Sequence, residues 1–182
     1  IISEVKRLEN ILMNVLTYSK KTKLNLESHN INDLIEEILR MYADKFQENS
    51  IDVQKNLNAP SSIQLDKAQI MSALSNLVAN AVDAMDEGGI LTITTSEETR
   101  RDTSFLNMVI SDTGAGIPED KLNMIFEPFF TTKVLGRGTG LGLPICKRTI
   151  EDHGGFITIS SESGKGSTFS IHLPYTQKTD KV

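Results

Sequence analysis

The period of the apolar positions changes several times along this chain, and each change marks an element. Ile1, Val5, Leu8, Leu12 and Val15 step by 4, 3, 4 and 3, a heptad seam. Ile2, Ile11 and Leu16 widen it toward the stripe of a bundle helix, with Glu4, Lys6, Arg7, Glu9 and Lys20 on the wet face. Residues 1–24 therefore read as one amphipathic helix; a seam this regular faces other helices, the plainer alternative being a terminal helix packed on its own domain. Residues 25–30 are polar and lack an apolar period, so they read as a linker. Asn32 is then the expected N-cap of a helix over 33–48, with Leu34, Ile35, Ile38, Leu39, Tyr42 and Phe46 inward. Ile51 and Val53 open a strand, Pro60 breaks it, and 62–65 gives a second short one. Asp66 caps a long helix to about residue 85, with Ile70, Ala73, Leu74, Leu77, Ala81 and Ala84 on one side and Gly88-Gly89 ending it. Strands follow over 90–95 and 105–111. A short helix is predicted over 118–126, a patternless loop over 127–141, and a helix over 141–153 stopped by Gly154-Gly155. A hairpin of 156–161 with 167–173 turns around Gly164-Lys165-Gly166, and the polar tail from Tyr175 reads as disordered. Strands interleaved with three substantial helices predict an α/β two-layer sandwich, a mixed sheet backed by helices, preceded by the long N-terminal helix.

Composition narrows the chemistry more than the fold. The chain has 182 residues and a net charge of −5, so no bulk basic field draws it to nucleic acid. Its single cysteine, Cys146, rules out an intrachain disulfide and a cysteine-based zinc cluster. No apolar run approaches the roughly 18 residues of a membrane span, and no signal peptide is visible. The chain opens mid-pattern without Met, as expected of a piece of a longer protein.

Three glycine clusters carry candidate chemistry. Asp112-Thr113-Gly114-Ala115-Gly116-Ile117 follows a predicted strand. A carboxylate at a strand end, beside glycines that admit a ligand to the backbone, suits recognition of a base amino group; a plain turn uses the same residues. Gly136-Arg137-Gly138-Thr139-Gly140-Leu141-Gly142-Leu143 has glycine at every second position. That is too many for one turn, and bare amides ahead of a helix N-terminus suit phosphate oxygens. The spacing matches neither a P-loop nor a dinucleotide fingerprint. Gly164-Lys165-Gly166-Ser167-Thr168 on its own reads as a hairpin turn. The long helix adds Asn76 and Asn80, one turn apart on one face, with Asp83 nearby. Polar side chains in so apolar a run need partners, and a neutral amide oxygen is a good Mg²⁺ ligand.

Taken in order, these residues resemble the nucleotide boxes of bacterial two-component sensor histidine kinases. The asparagine box is matched by residues 76–84, the first glycine box by 112–116, and the F box by Phe126-Glu127-Pro128-Phe129-Phe130-Thr131-Thr132-Lys133. The second and third glycine boxes are matched by 138–143 and 164–169. The resemblance covers about residues 31–174 and implies the Bergerat ATP-binding fold, shared with gyrase B subunits, MutL and heat-shock chaperone ATPases. The opening helix resembles the second helix of the family's dimerisation and phosphoacceptor hairpin, so the intact protein is expected to be a homodimer through it.

By position, the resemblance implies that Asn80 holds Mg²⁺ on the triphosphate and that Asp112 takes the adenine amino group in a pocket shaped by Gly116. Gly138, Gly140 and Gly142 would wrap the phosphates, and residues 127–139 would form the ATP lid. Asp83, Gly114, Ile117, Thr132, Thr139, Leu141 and Thr168 fall inside the same boxes and are expected at the nucleotide. Lys133 or Arg137, both in the lid, is implied as the cation that meets the γ-phosphate, and the choice between them stays open. The ATPase cousins carry a Glu one turn before the metal-binding Asn, to activate water. Here that position is Asn76, which cannot serve as a general base, so the resemblance favours kinase over hydrolase. None of His29, His153 and His172 precedes Glu or Asp as the family's acceptor does, so the acceptor helix would precede Ile1. The expectation is a cytoplasmic protein-histidine kinase catalytic domain. It would pass the γ-phosphoryl of Mg-ATP to a histidine and thence to a response-regulator aspartate. The rival expectations are an ATPase or anti-sigma serine kinase of the same fold, or a non-catalytic nucleotide-binding module.

Overall fold

The computed structural model describes residues 23–59, 62–100, 103–133 and 138–175. The expected opening helix, apart from its last two residues, lies outside these, as do Arg137 and residues 176–182.

Among the described residues, seven strands and four α-helices follow in the order β1 (Glu27–His29), α1 (Ile31–Met41), α2 (Ala43–Glu48), β2 (Ile51–Leu57), β3 (Ile63–Leu65), α3 (Lys67–Ala84), β4 (Gly89–Arg100), β5 (Thr103–Asp112), α4 (Gly142–Asp152), β6 (Phe156–Glu162) and β7 (Gly166–Pro174). Five strands form one mixed sheet in the order β2-β4-β5-β7-β6, with β2 parallel to β4 and the other pairs antiparallel. Alternation along β5 and β7 sends Leu106, Met108, Ile110, Phe169, Ile171 and Leu173 to one face, where they meet Ile35, Ile38, Ile70, Leu74, Leu77 and Ile150 of the helices in a single core. This is the expected two-layer α/β sandwich.

Five expectations need correcting. The first helix is capped by Asn30, whose side-chain oxygen accepts the Asn32 N–H at 3.0 Å; Asn32 is already inside it. That helix also breaks at Tyr42, where ψ rises to 3° and the N–H is shared between the carbonyls of Ile38 and Leu39. The Tyr42 ring stays inward and its hydroxyl reaches Ser75 of α3, so α1 and α2 share one apolar stripe and the periodicity passes through the break unmarked. The polar stretch 25–30, expected as a linker, contains β1, which pairs with β3 from Glu27↔Leu65 to His29↔Ile63. Two of its three residues are exposed, and a wet edge strand has no apolar alternation to show. β4 and β5 run to Arg100 and from Thr103, beyond the predicted 90–95 and 105–111, as a polar ribbon paired by backbone bonds. The predicted helix over 118–126 is a 3₁₀ turn, Glu119–Lys121, followed by turns closed by i→i−3 bonds such as Met124 N–H to Lys121 O and Glu127 N–H to Met124 O. Ile125 is its only buried residue, too little of a stripe to hold an α-helix.

Besides apolar packing, a buried imidazole ties α3 to α4. His153, fully buried after the end of α4, accepts the backbone N–H of Asp66 at Nε2 (3.0 Å) and bonds the Thr149 carbonyl through Nδ1 (2.7 Å). Those partners assign the proton to Nδ1. Asp66 in turn caps α3, accepting the N–H groups of Gln69 at Oδ1 and Asn25 at Oδ2, both at 3.1 Å. Burial pushes the Asp66 carboxyl up, but these bonds outweigh it and hold the group below its ordinary value.

Candidate functional site

Between α3, the end of β5 and the start of α4 lies a cavity of about 410 Å³, within the range of small-ligand sites. Its buried end is the end of β5. Asp112 is 6% exposed, and its Oδ1 accepts the N–H groups of Gly114 (2.9 Å) and Ser167 (3.2 Å). Burial is the larger influence on the carboxyl and raises its pKa against those two bonds. The loop that follows is pinned by backbone: Ala115 N–H donates to Ala84 O at 2.9 Å, and Thr113 is held to Ile90 through both its N–H and its hydroxyl. Gly116 sits at φ +67° so close to β6 that a Cβ would stand 2.0 Å from the Glu162 carbonyl oxygen. Only glycine fits there. Ile117 N–H donates to Ser161 Oγ at 2.8 Å, and that hydroxyl donates on to Gly166 O.

The other end is lined by α3 and the two arms of the loop ahead of α4. Asn76, Ala79, Asn80, Asp83 and Ala84 recur at helical spacing and share the cleft-facing side of α3. Lys133 Nζ donates to Asn80 Oδ1 at 3.1 Å and to Asp83 Oδ2 at 2.5 Å. The arms are closed by Phe129 N–H donating to Gly140 O at 2.9 Å, with Phe129 itself at φ +67°. Gly142, the first residue of α4, faces Asn76. The expected residues Asn76, Asn80, Asp83, Asp112, Gly116, Ile117, Thr132, Lys133, Gly138, Thr139, Gly140 and Gly142 thus meet around one cavity.

Three expected residues do not line it. Gly114 packs against Ala84 and serves by holding Asp112. Leu141 is 1% exposed; its side chain lies in the interior while its backbone starts α4. Thr168 lies on the opposite face of β7, bonded to Ser111 Oγ at 2.8 Å, and Ser167 takes the cavity position expected for it. Strand alternation carries that signal: Ser167 shares a face with Phe169 and Ile171. The apolar wall of Ile125, Phe130, Leu143 and Phe169 was also not anticipated.

Asn80 Oδ1 already faces a cation, the Lys133 ammonium, with the Asp83 carboxylate beside it. Oxygen donors in that number fit a Mg²⁺ that keeps most of its shell as water and phosphate. Among the described residues no group of three or more His, Cys, Asp or Glu side chains forms an all-protein metal cage.

Comparison with known proteins places this cleft. The profile described as histidine kinase-, DNA gyrase B- and HSP90-like ATPase matches residues 65–177, from β3 through β7. The chain belongs to this family. Among curated relatives it is 33% identical over 176 residues to sporulation kinase C of Bacillus subtilis strain 168, covering 96% of this chain and 40% of that protein. It is 36% identical over 174 residues to the sensor histidine kinase ZraS of Escherichia coli K12, covering 94% and 36%. The chain thus spans well under half of the length of these relatives. Among solved structures, a nucleotide-free catalytic domain of histidine kinase ThkA superposes with a TM-score of 0.73 at 34% identity, over 84% of this chain and 97% of that one. ThkA in complex with the response regulator protein TrrA gives 0.78 at 33%, over 96% and 49%. Full-length ShkA in complex with AMPPNP gives 0.81 at 25%, over 94% and 36%. The family's Bergerat fold and the resemblance to sensor histidine kinases both hold, and the chain carries a histidine kinase catalytic domain.

Proposed function

We propose that the cleft binds Mg-ATP and presents its γ-phosphoryl to a histidine on a helical dimerisation domain, for relay to a response-regulator aspartate. In this reading Asp112 accepts the adenine amino group, and Gly114 and Ser167 hold the carboxylate in place. Mg²⁺, when bound, neutralises phosphate charge; Asn80 would hold it. Gly138, Gly140 and Gly142 leave backbone open to the phosphates, and the N-terminus of α4 faces them. The observation that carries kinase over hydrolase is Asn76. Among the described residues, the carboxylates lining the cavity are Asp112, at its buried end, and Asp83, engaged by Lys133. Neither stands at Asn76 to take a proton from water, so the phosphoryl group needs an acceptor from outside the cleft.

The chain's own histidines do not supply one. His153 is fully buried and bonded, and His172 is 4% exposed, stacked on Phe156 with its pKa lowered by burial. His29 lies in β1. The reading extends to a cytoplasmic enzyme that dimerises through residues 1–24. No helix among the described residues is long and apolar enough to cross a membrane.

The test is incubation with Mg and γ-labelled ATP, alone and with a purified phosphoacceptor hairpin of this family. Calorimetric binding of Mg-ATP, no label on the chain alone and acid-labile label on the hairpin are expected. Phosphate released to water, label on serine, or absence of nucleotide binding would each overturn the reading in favour of one of its rivals.

A further inference from the structure

We propose that the Lys133 ammonium is the cleft's resident cation, held on Asn80 and Asp83 where the nucleotide's metal belongs, and that metal arriving with nucleotide evicts it. The proposal rests on the Mg-nucleotide reading above and assigns Lys133 a position for each state of the site.

Asn80 and Asp83 lie three residues apart on α3, so one cation between them touches both oxygens. Lys133 Nζ does so, at 3.1 and 2.5 Å. The amide oxygen of Asn80 is also the ligand a Mg²⁺ would need. An ammonium and a divalent ion cannot share that oxygen and the adjoining carboxylate, because like charges at such separations repel strongly even at an intermediate dielectric. The existing contact is weak enough to yield. The Lys133 side chain is 33% exposed and that of Asp83 53%, so water screens the pair. The swing belongs to the side chain, whose four-carbon stem is flexible; the backbone of Lys133 is anchored by its N–H on Thr131 Oγ1 at 3.2 Å.

Three states follow. Without metal, Lys133 stays on Asp83 and Asn80. With metal and a diphosphate, it is displaced into solvent. With metal and a triphosphate, the terminal phosphate is the new negative charge within its reach and recaptures it. The lysine thereby distinguishes a loaded site from a spent one.

Brief acetylation with limiting reagent, followed by mass spectrometry, reads the accessibility of the amine. Lys67, paired with Glu37 at the far end of α3, is the internal reference. Lys133 is expected to react slowly in the free protein and with saturating metal-free ADP. Mg-ADP should speed it roughly two- to fivefold, the equivalent of a partly exposed ion pair. Mg with β,γ-imido ATP should slow it again. Asp83→Asn should speed it by a similar factor in the nucleotide-free protein, with Lys67 unchanged. Calorimetry on the same samples separates the two readings. If Mg-ADP does not bind, the nucleotide reading fails. If Mg-ADP binds and the Lys133 rate stays put, or if metal-free ADP releases the lysine equally, this proposal is overturned. An Asp83→Asn protein with an unaltered Lys133 rate would overturn it as well.

Discussion

The two ends of the cleft are made of different material. At the buried end main-chain groups do the holding: Asp112 is fixed by the N–H groups of Gly114 and Ser167, its partner across the β5–β7 register, and Ala115 by the carbonyl of Ala84 at the end of α3. At the open end one backbone bond, Phe129 N–H to Gly140 O, closes the arms, and side chains do the rest: Lys133 on Asn80 and Asp83, and the hydroxyls of Thr131 and Thr139 on the N–H groups of Lys133 and Leu141. Phe129, exposed and in a left-handed conformation, adds local strain there. In the proposed reading, the base is the same in every state of the nucleotide, so its reader can be rigid. In the same reading the phosphate tail changes during turnover, and its cradle is built from contacts that can be exchanged.

The largest expected effect sharpens this contrast. Gly116→Ala drives a Cβ into the Glu162 carbonyl at a positive φ, where backbone on both sides prevents relief. A loss of about 3 kcal/mol or more is expected in denaturant unfolding. Gly138→Ala meets the Thr131 hydroxyl and, at 3.4 Å, the Lys133 stem, side chains that can shift where backbone cannot, and should cost about 1 kcal/mol, the loss of the Thr131 bond to the Lys133 N–H included. Equal losses would break the comparison.

Asp112→Asn comes next and should separate binding from folding. If Asp112 accepts the adenine amino group as proposed, losing its charge is expected to weaken ATP roughly ten- to a hundredfold by calorimetry. Thermal stability should hold at neutral pH, because an amide oxygen still accepts from Gly114 and Ser167 and no buried charge remains. GTP, which presents a carbonyl at the corresponding position, should bind the parent poorly.

The pH dependence of the parent has two opposite signatures. The raised pKa of Asp112 means that its contribution to stability is complete below the unfolded-state value and is lost as pH rises through the folded one. Asp66, held low, contributes above its unfolded-state value and loses that as pH falls through the folded one. Melting curves against pH should show Asp112→Asn gaining on the parent as pH rises. Asp66→Asn should trail the parent at neutral pH and converge with it in acid. Affinity for ATP should decline on acidification at a higher pH than an ordinary carboxylate would give.

Thr168→Val carries the smallest expected effect. The residue faces away from the cavity, so ATP affinity should change less than twofold, while stability loses roughly 0.5–1.5 kcal/mol with the Ser111 bond.

How legible the molecule is from its sequence depends on where each signal is stored. α3, α4 and the β6–β7 hairpin carry regularly spaced apolar residues, and that period places them to within a residue or two. β1 escapes because an exposed three-residue strand leaves no period, and the Tyr42 break because the apolar stripe runs through it. Asp112, Asn80 and Lys133 are legible as motif members, although nothing in their spacing says that Lys133 rests on Asn80. Thr168 was misplaced by reading the motif letter by letter. The alternation that puts Phe169 and Ile171 inward puts Ser167 inward too. The alanines and apolar residues of the cavity wall carry no chemical label and emerge only once the elements are packed.

The bond from Asp66 to His153 makes α4 a lever. α3 and α4 are joined where α3 begins and α4 ends, away from the mouth formed by Gly142 and Asn76. An eleven-residue helix is about 16 Å long, so each degree of tilt about that joint moves the far end by roughly 0.3 Å. A substitution at the joint that touches no part of the cavity, such as His153→Ala, is therefore expected to shift the mouth, read as a changed ATP affinity in calorimetry; an unchanged affinity would show that the apolar packing between α3 and α4 holds it instead.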